Sequence, residues 1–250
     1  MHSLPHADPM HLDVPAGGLT PLETLHSELQ GVRRSVDQDQ MVALEGAPRK
    51  HVIGVATGLL RCFRITPDGR RHITRFVGPG GLVGLGTHAT YRNSAEAVSD
   101  SSLITFPSRA LDAAMERSSK IRKAVMDGLT LEMSVRDQTH FRVGRLWADE
   151  RVADFLLEVH SSASGAESGT NEIRMSRSDI ADHLGVTIET VSRALNRFQK
   201  MNLIKFVDVR HFVVLRLNDL SNFALGDWNG AAHSTTSWIG TGRKEGQRAA

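Results

Sequence analysis

Hydrophobic positions in the first half of the chain fall into short alternating runs, which predict β-strands. From about residue 41 to residue 107, runs rich in β-branched and aromatic residues are separated by recurring glycines, a pattern typical of a sandwich or barrel. The tripeptide Pro67-Asp68-Gly69 interrupts two of these runs. Proline presets φ, aspartate can bond its own backbone and glycine accepts positive φ, so a β-hairpin is expected to turn here.

Further along, apolar positions recur every three or four residues and predict a long helix. The stripe consists of Ile121, Ala124, Val125, Gly128, Leu131 and Val135. A long helix between a β domain and a distal helical domain is suited to pairing with a second copy. The alternative is a helix that rests on its own β domain. We expect pairing, through this stripe.

The stretch "MSRSDIADHLGVTIETVSRALNRFQK" predicts two short helices joined by a tight turn. Ser176 and Ser178 are N-cap candidates for a first helix that begins at Asp179. Gly185 ends that helix, and Thr187 caps the second. The inner side is expected to contain Ile180, Ala181, Leu184, Val186, Val191, Leu195 and Phe198. Helix, short turn and helix form a helix-turn-helix pattern, and two strands around a turn near residues 208–211 would follow as a wing.

The outer face of the second helix carries polar side chains that packing does not require. Arg193 can donate two hydrogen bonds to O6 and N7 of guanine, Glu189 can accept one from a cytosine or adenine amino group, and Ser192 can do either. The N-terminal part of such a helix meets base edges in the major groove. These three residues are therefore expected to read bases. If Glu189 and Arg193 are considered alone, the alternative to base reading is an incidental ion pair between residues four apart on a solvated helix face.

Charge strengthens the prediction of nucleic-acid binding only locally. The whole chain has a formal net charge of +2, which neither requires nor excludes nucleic acid. Residues 174–210 hold seven Lys or Arg and four Asp or Glu, a net charge of +3, and such a face can bind phosphates with release of counterions. The residues expected to contact the DNA backbone or to support the reading helix are Ser176, Arg177, Ser178, Thr187, Thr190, Asn196, Arg197 and Lys200.

This stretch resembles the DNA-binding signature of the CRP/FNR family of bacterial transcription regulators, and within it the FNR and FixK branches. The β segment, long helix and winged helix-turn-helix follow in the family's order. The resemblance implies an α+β fold with an N-terminal double-stranded β-roll of the cyclic-nucleotide-binding type, a long dimerisation helix and a C-terminal winged helix-turn-helix. The expected divisions are a disordered tail at 1–20, the β-roll at 21–117, the dimerisation helix at 118–145, the winged helix-turn-helix at 146–224 and a disordered tail at 225–250.

The resemblance also implies which DNA is read. The FNR and FixK branches carry E-x-x-S-R on the recognition helix, matched here by Glu189, Ser192 and Arg193. It implies a homodimer on a palindromic double-stranded operator such as TTGAT-N4-ATCAA. Arg193 would read the guanine, Glu189 the complementary strand and Ser192 the neighbouring thymine region. RNA polymerase would be a further partner. The expected role is activation of low-oxygen genes for microaerobic respiration, nitrogen fixation or denitrification.

The sequence departs from the family's sensor motifs, and these departures argue against an iron–sulfur cluster and against a cyclic-nucleotide ligand. Cys62 is the single cysteine, so the four-cysteine [4Fe–4S] cluster of FNR cannot form within one subunit. Leu85 stands where cyclic-nucleotide binders carry a ribose-binding glutamate. Asn93 precedes Ser94 where the phosphate-binding arginine belongs, and Arg92 is one place away; a buried phosphate lacking that arginine is poorly compensated. We therefore expect a FixK-like regulator without cofactor, metal or required ligand.

Other functions remain as alternatives. A haem-based nitric-oxide sensor of the same superfamily could use His51, His72 or His88, and a redox sensor could use Cys62. A metal-dependent enzyme on a β-roll needs clustered histidines, and no H-x-H pair accompanies His72 or His88. Phosphate-binding and nucleophile-elbow motifs are absent from the sequence, which argues against the common enzyme classes that use them. A ligand-sensing module without DNA function would not account for the face around Arg193.

The sequence also predicts where the protein acts. It contains no apolar run long enough to span a bilayer, and its N-terminal residues lack the charged and then apolar layout of a secretory signal. A single cysteine is compatible with a reducing compartment. A cytoplasmic protein without a membrane partner is expected.

Overall fold

The computed structural model describes residues 19–162 and 169–227, and its N-terminal part is built from two antiparallel four-stranded sheets. The first sheet follows the order β1 (Val32–Val36), β8 (Ser101–Pro107), β3 (His51–Thr57) and β6 (Leu82–Val83). The second follows the order β2 (Met41–Ala43), β7 (Ser94–Ala97), β4 (Leu60–Ile65) and β5 (Arg71–Val77). Buried apolar residues of both sheets form one cluster between them, so the two layers share a core.

The predicted hairpin between β4 and β5 is confirmed. Gly69 has a φ of +84°, and its N–H donates to the carbonyl of Thr66 at 2.8 Å. A β-bulge interrupts the pairing of β4 with β5: Cys62 lies opposite Arg75, but Phe63 lies opposite Ile73, so Thr74 is an extra residue on β5. Because an extra residue shifts the alternation of side chains, Ile73 and Phe76 both turn away from the sheet core, and both join the cluster that includes the C-terminal domain.

Three helices cover the β domain: α1 (Pro21–Leu29), α2 (Ser108–Arg117) and α3 (Ser119–Arg145). The stripe predicted to pair with a second copy packs instead against the chain's own β domain. Ile121 and Val125 are buried in a cluster with β-domain residues such as Phe106. A Cβ on Gly128 would lie 2.8 Å from Leu85 Cδ1, so this glycine makes room for Leu85 and not for another backbone.

The pairing prediction is therefore wrong for this stripe. Its other members are buried or half-buried on the same side of α3: Ala124, Leu131 and Val135. The three-and-four periodicity correctly identified the apolar face of the helix, but a periodicity does not say which surface covers that face. The side of α3 that could meet a second copy is the opposite one.

The C-terminal part is a small helical domain with a three-stranded sheet. Its elements are α4 (Ala148–Ser162), β9 (Thr170–Glu172), α5 (Arg177–Leu184), α6 (Ile188–Lys200), β10 (Ile204–Phe206), β11 (His211–Val214) and α7 (Leu217–Ala224). The sheet has the order β10-β11-β9. The two strands expected around a turn at 208–211 are thus confirmed as the β10–β11 wing, placed directly after α6.

Charged side chains fix the angle at which α4 leaves α3. Arg142, in the last turn of α3, is only 5% exposed and forms ion pairs with Asp154 and Glu158 on α4. Truncating one partner of a buried pair leaves an uncompensated charge and typically costs about 3–5 kcal/mol. The junction of the two helices is therefore held by specific contacts.

The predicted tails fall largely outside the described residues: positions 1–18 of the N-terminal tail and 228–250 of the C-terminal tail. In the ranges that the structure covers, none of the helices is both long and apolar enough to cross a membrane.

Candidate DNA-binding interface

The first helix of the helix-turn-helix begins with a capping box. Ser176 is the N-cap, and its Oγ accepts from the N–H of Asp179 at 3.0 Å, while the Asp179 carboxylate accepts from the N–H of Ser176 at 3.3 Å. Helix α5 therefore starts at Arg177, two residues earlier than expected, and Ser178 lies inside its first turn and does not cap it. Gly185 ends α5 with a φ of +65°, the left-handed conformation that favours glycine.

The second helix, α6, is fixed by its own cap and by its apolar side. The Thr187 hydroxyl accepts from the N–H of Thr190 at 3.2 Å, and the two threonine hydroxyls lie 3.1 Å apart. Both residues thus hold the start of α6, which is the supporting role predicted for them. Its buried side contains Val191, Ala194, Leu195 and Phe198.

The opposite side of α6 presents the three residues predicted to read bases. Glu189 and Arg193 are exposed and Ser192 is half-buried. Hydrogen bonds from the backbone N–H of Glu189 itself and from the Thr187 hydroxyl hold the pKa of Glu189 below its usual range, and the nearby Arg193 charge acts in the same direction. This carboxyl is therefore ionised at neutral pH and available as an acceptor.

Arg193 forms no hydrogen bond and no close ion pair within the described residues. Its charge attracts the Glu189 carboxylate four residues earlier, but the two side chains do not approach to ion-pair distance. A guanidinium that stabilises a fold is normally engaged by a carboxylate, carbonyl or ring. Helix α6 therefore holds a free donor fork on its exposed side, close to its N-terminus.

The flanking candidates divide into exposed residues and residues already engaged. Asn196 and Lys200 are exposed. The Nη1 atom of Arg197 lies 2.9 Å from the carboxylate of Asp149, so this arginine ties α6 to α4. The guanidinium of Arg177 lies 5.1 Å from the centre of the Phe206 ring, and burial lowers its pKa. The first strand of the wing thus orients Arg177. Arg197 stabilises the packing of α6 against α4.

The residues considered for sensing do not form one cluster: Cys62 and His88 both line a cavity between the β domain and α3, whereas His72 contacts the C-terminal domain. Cys62 is buried, and burial raises the pKa of its thiol, which disfavours the reactive thiolate. The Nδ1 atom of His72 lies 3.2 Å from the carbonyl oxygen of Asp182, while His51 and His88 are exposed. Within the described ranges no group of three or more His, Cys, Asp or Glu residues could hold a metal ion.

A cavity of about 450 Å³ lies between the β domain and α3, beside the segment from Gly84 to Asn93. Leu85, Arg92 and Asn93 are among its lining residues. Leu85 packs partly against the core beneath α3, and Arg92 is exposed. The apolar side chain at position 85 offers no acceptor for a sugar hydroxyl.

Comparison with known proteins identifies both halves of the chain. Residues 150–223 match the model of the Crp-like helix-turn-helix domain, and residues 33–118 match that of the cyclic nucleotide-binding domain. The nitrogen fixation regulation protein FixK of Rhizobium meliloti (strain 1021) is 34% identical over 163 residues, which cover 65% of this chain and 72% of FixK. The chain belongs to the CRP/FNR family of transcriptional regulators. Within that family it is FixK-like.

Two further relatives support the CRP/FNR assignment. The transcriptional activator protein Anr of Pseudomonas aeruginosa is 33% identical over 68% of this chain and 72% of its own length. The structure of FixK2 from Bradyrhizobium japonicum superposes with a TM-score of 0.73 at 32% identity, covering 77% of this chain and 96% of FixK2. The expected α+β architecture of β-roll, long helix and winged helix-turn-helix is confirmed, and the protein is a DNA-binding regulator and not an enzyme.

Sequence reasoning missed residues that position the reading helix in this CRP/FNR regulator. Asp179 closes the α5 capping box, a signal present in the sequence as Ser-x-x-Asp. The same carboxylate also binds Arg61 and Arg71 of the β domain. Arg151 on α4 contacts the turn between the two helices. No local motif marks these long-range contacts, because they depend on how separate elements pack.

Proposed function

We propose that the protein is a homodimeric activator that binds inverted repeats similar to TTGAT-N4-ATCAA without a required ligand. One observation carries the proposal: Arg193 is exposed on the N-terminal half of α6 and forms no hydrogen bond or close ion pair among the described residues. Glu189 and Ser192 lie on the same side of that helix. A free donor fork beside an ionised carboxylate matches the hydrogen-bonding edges of the G·C and A·T pairs in such a half-site.

The proposed roles follow from hydrogen-bonding capacity. Arg193 donates two bonds to O6 and N7 of the guanine, Glu189 accepts from an amino group on the complementary strand, and Ser192 contacts the neighbouring thymine region. Ser176, Arg177 and Ser178 at the start of α5, with Asn196 and Lys200 on α6, approach the phosphates. Phosphate contacts of this kind fix the register on the duplex.

Dimerisation through α3 uses the exposed side of the helix in this proposal. Met126 and Met133 are 58% and 66% exposed, and the exposed His140 follows at the same spacing of seven residues. A heptad of this kind on a 27-residue helix, roughly 40 Å long, forms a seam for a parallel partner. The buried stripe on the other side keeps the helix attached to its own β domain.

The nucleotide-type segment supports ligand independence, and the relatives support the physiology. Leu85 occupies the nucleotide-type segment with an apolar side chain, and the single cysteine is buried. The relatives include a nitrogen fixation regulator and an "Anaerobic regulatory protein" from Pasteurella multocida. We therefore assign the targets to low-oxygen physiology: microaerobic respiration, nitrogen fixation or denitrification. Activation would require contact with RNA polymerase in the cytoplasm.

Fluorescence anisotropy with purified, ligand-free protein tests this function. At a fixed salt concentration, the TTGAT-N4-ATCAA duplex should bind on the order of a thousandfold more tightly than a duplex with both half-sites scrambled. Equal affinity for the two duplexes would overturn sequence-specific binding. Specific binding that appears only after haem, nitric oxide or cyclic AMP is added would overturn ligand independence and favour the sensor alternative.

A further inference from the structure

One guanidinium joins the end of the long helix to the turn of the helix-turn-helix. Arg151, in the first turn of α4, donates from Nη2 to the carbonyl of Val143 at 2.8 Å and from Nε to the carbonyl of Leu146 at 3.1 Å. Its Nη1 donates to the carbonyl of Leu184 at 3.1 Å. Val143 lies in the last turn of α3, Leu146 is the C-cap of that helix, and Leu184 is the last residue of α5.

These three carbonyls lie where helices leave their acceptors unsatisfied. The last four carbonyls of an α-helix have no partner within it, and the C-terminal end of a helix carries partial negative charge. Arg151 places one cation at two such ends, those of α3 and α5. Because its donors are held in a rigid planar fork, satisfying all three acceptors restricts the angle between the two helices.

The position of Leu184 connects this contact to DNA reading. Leu184 directly precedes Gly185, the left-handed residue at which the chain turns into α6. A Cβ on Gly185 would have Arg151 Nη1 as its nearest neighbour, at 3.8 Å. The direction in which α6 leaves the turn is thereby tied to the end of α3.

Other charged contacts in the described structure join different pairs of elements. Arg142 links α3 only to α4, and Arg197 links α6 to α4. Arg71 links α5 to the β domain. Among the side chains that the structure describes, Arg151 is the one whose hydrogen bonds reach both the end of α3 and the helix-turn-helix turn.

We propose that Arg151 is a positioning residue that sets the distance between the two recognition helices of the dimer, and so the spacing of half-sites that the protein accepts. This inference rests on the proposed dimer and inverted repeat. If α3 forms the seam, each α6 is placed relative to the two-fold axis through the α3 to α5 geometry. Loosening that geometry should affect how two half-sites are bound together and leave the base contacts of each α6 unchanged.

A series of duplexes tests the inference. The wild-type protein, Arg151→Ala, Arg151→Lys and Arg145→Ala are titrated against operators with spacers of three, four and five base pairs, and against a duplex with one half-site scrambled. Arg145 is an exposed residue in the same last turn of α3, so its variant controls for the loss of one positive charge. Thermal melting of each variant reports whether it is folded.

We expect Arg151→Ala to lose roughly tenfold to a hundredfold of affinity for the four-base-pair operator, as for the loss of charge-assisted hydrogen bonds. It should bind the single half-site as tightly as the wild type does. Its preference for the four-base-pair spacer should be much weaker than that of the wild type. Arg151→Lys, which keeps the charge but not the fork, should show a smaller loss of spacer preference. Arg145→Ala should keep the wild-type preference.

The outcomes separate this inference from the proposed function. A wild-type protein that ignores spacing or does not bind the repeat contradicts the proposed operator itself. A wild-type preference for four base pairs that persists unchanged in Arg151→Ala overturns the positioning role. Parallel losses on the single half-site and on all spacers also overturn it, because they indicate a general loss of structure. If Arg151→Ala does not fold, Arg151→Lys decides: a full wild-type preference contradicts the inference.

Discussion

The Oδ1 atom of Asp179 lies 2.6 Å from Nη2 of Arg71, and this ion pair joins the first helix of the DNA-binding domain to strand β5 of the β-roll. Asp179 is 2% exposed, and its other oxygen is 3.3 Å from Nη1 of Arg61. Arg71 also donates from Nε to Asp182 at 2.8 Å. One carboxylate thus caps α5 and docks it on the β domain.

Removing Arg71 should weaken this docking. Arg71→Ala takes one cation from the buried carboxylate of Asp179, and we expect the free energy of unfolding to fall by about 1.5–3 kcal/mol. Urea unfolding followed by circular dichroism measures the change. The neighbouring Arg70, on the exposed turn and paired with Asp68, provides the control, since Arg70→Ala should change stability by less than about 0.5 kcal/mol. Equal effects of the two variants would contradict the docking role.

A buried histidine in the same interface predicts a dependence on pH. The Nδ1 atom of His183 lies 3.1 Å from the carbonyl oxygen of Ile73, and burial lowers the pKa of His183 to about 4. The unfolded chain takes up the proton first, near pH 6.5. The stability that comes from neutral His183 is therefore fully present above pH 6.5. It is lost as the pH falls towards 4, on the order of 3 kcal/mol in total.

His183→Asn checks this assignment, because the asparagine side chain still offers an N–H donor towards the Ile73 carbonyl but does not titrate. We expect it to be less stable than the wild type at pH 7, and its free energy of unfolding should change less between pH 6.5 and pH 5. The exposed His88 serves as the control, so His88→Asn should follow the wild-type slope. Identical slopes for wild type and His183→Asn would rule out His183 as the source.

The proposed dimer seam predicts a change of oligomeric state from one exposed position. Met133→Glu places a charge in the centre of the exposed heptad on α3 and should convert the dimer to a monomer in light scattering after gel filtration. Since Met133 lies outside the monomer core, its melting curve should keep the signature of a folded protein. Asp127→Lys changes charge on an exposed position away from the seam and should stay dimeric. A dimeric Met133→Glu protein would refute this seam.

Local signals account for what could be predicted from the sequence. Ser176, Gly185 and Thr187 determine the ends of the two helices through contacts within four residues, so the sequence alone predicts the helix-turn-helix. The sequence does not predict which surface covers the α3 stripe, because the pattern of Ile121 and its neighbours is the same whether a β domain or a second helix packs against it. The contact between Arg71 and Asp179 spans 108 positions and has no local signature.

The most direct test of base reading combines a protein change with a DNA change. Replacing the guanine of each TTGAT half-site with 7-deazaguanine removes the N7 acceptor that Arg193 is proposed to bind. Wild-type protein should lose about 1–3 kcal/mol of binding free energy per altered contact. Arg193→Ala should bind both duplexes equally weakly, and Arg193→Lys should keep general DNA affinity with reduced discrimination. An equal loss on 7-deazaguanine for wild type and Arg193→Ala would contradict the assignment of Arg193 as the residue that reads this base.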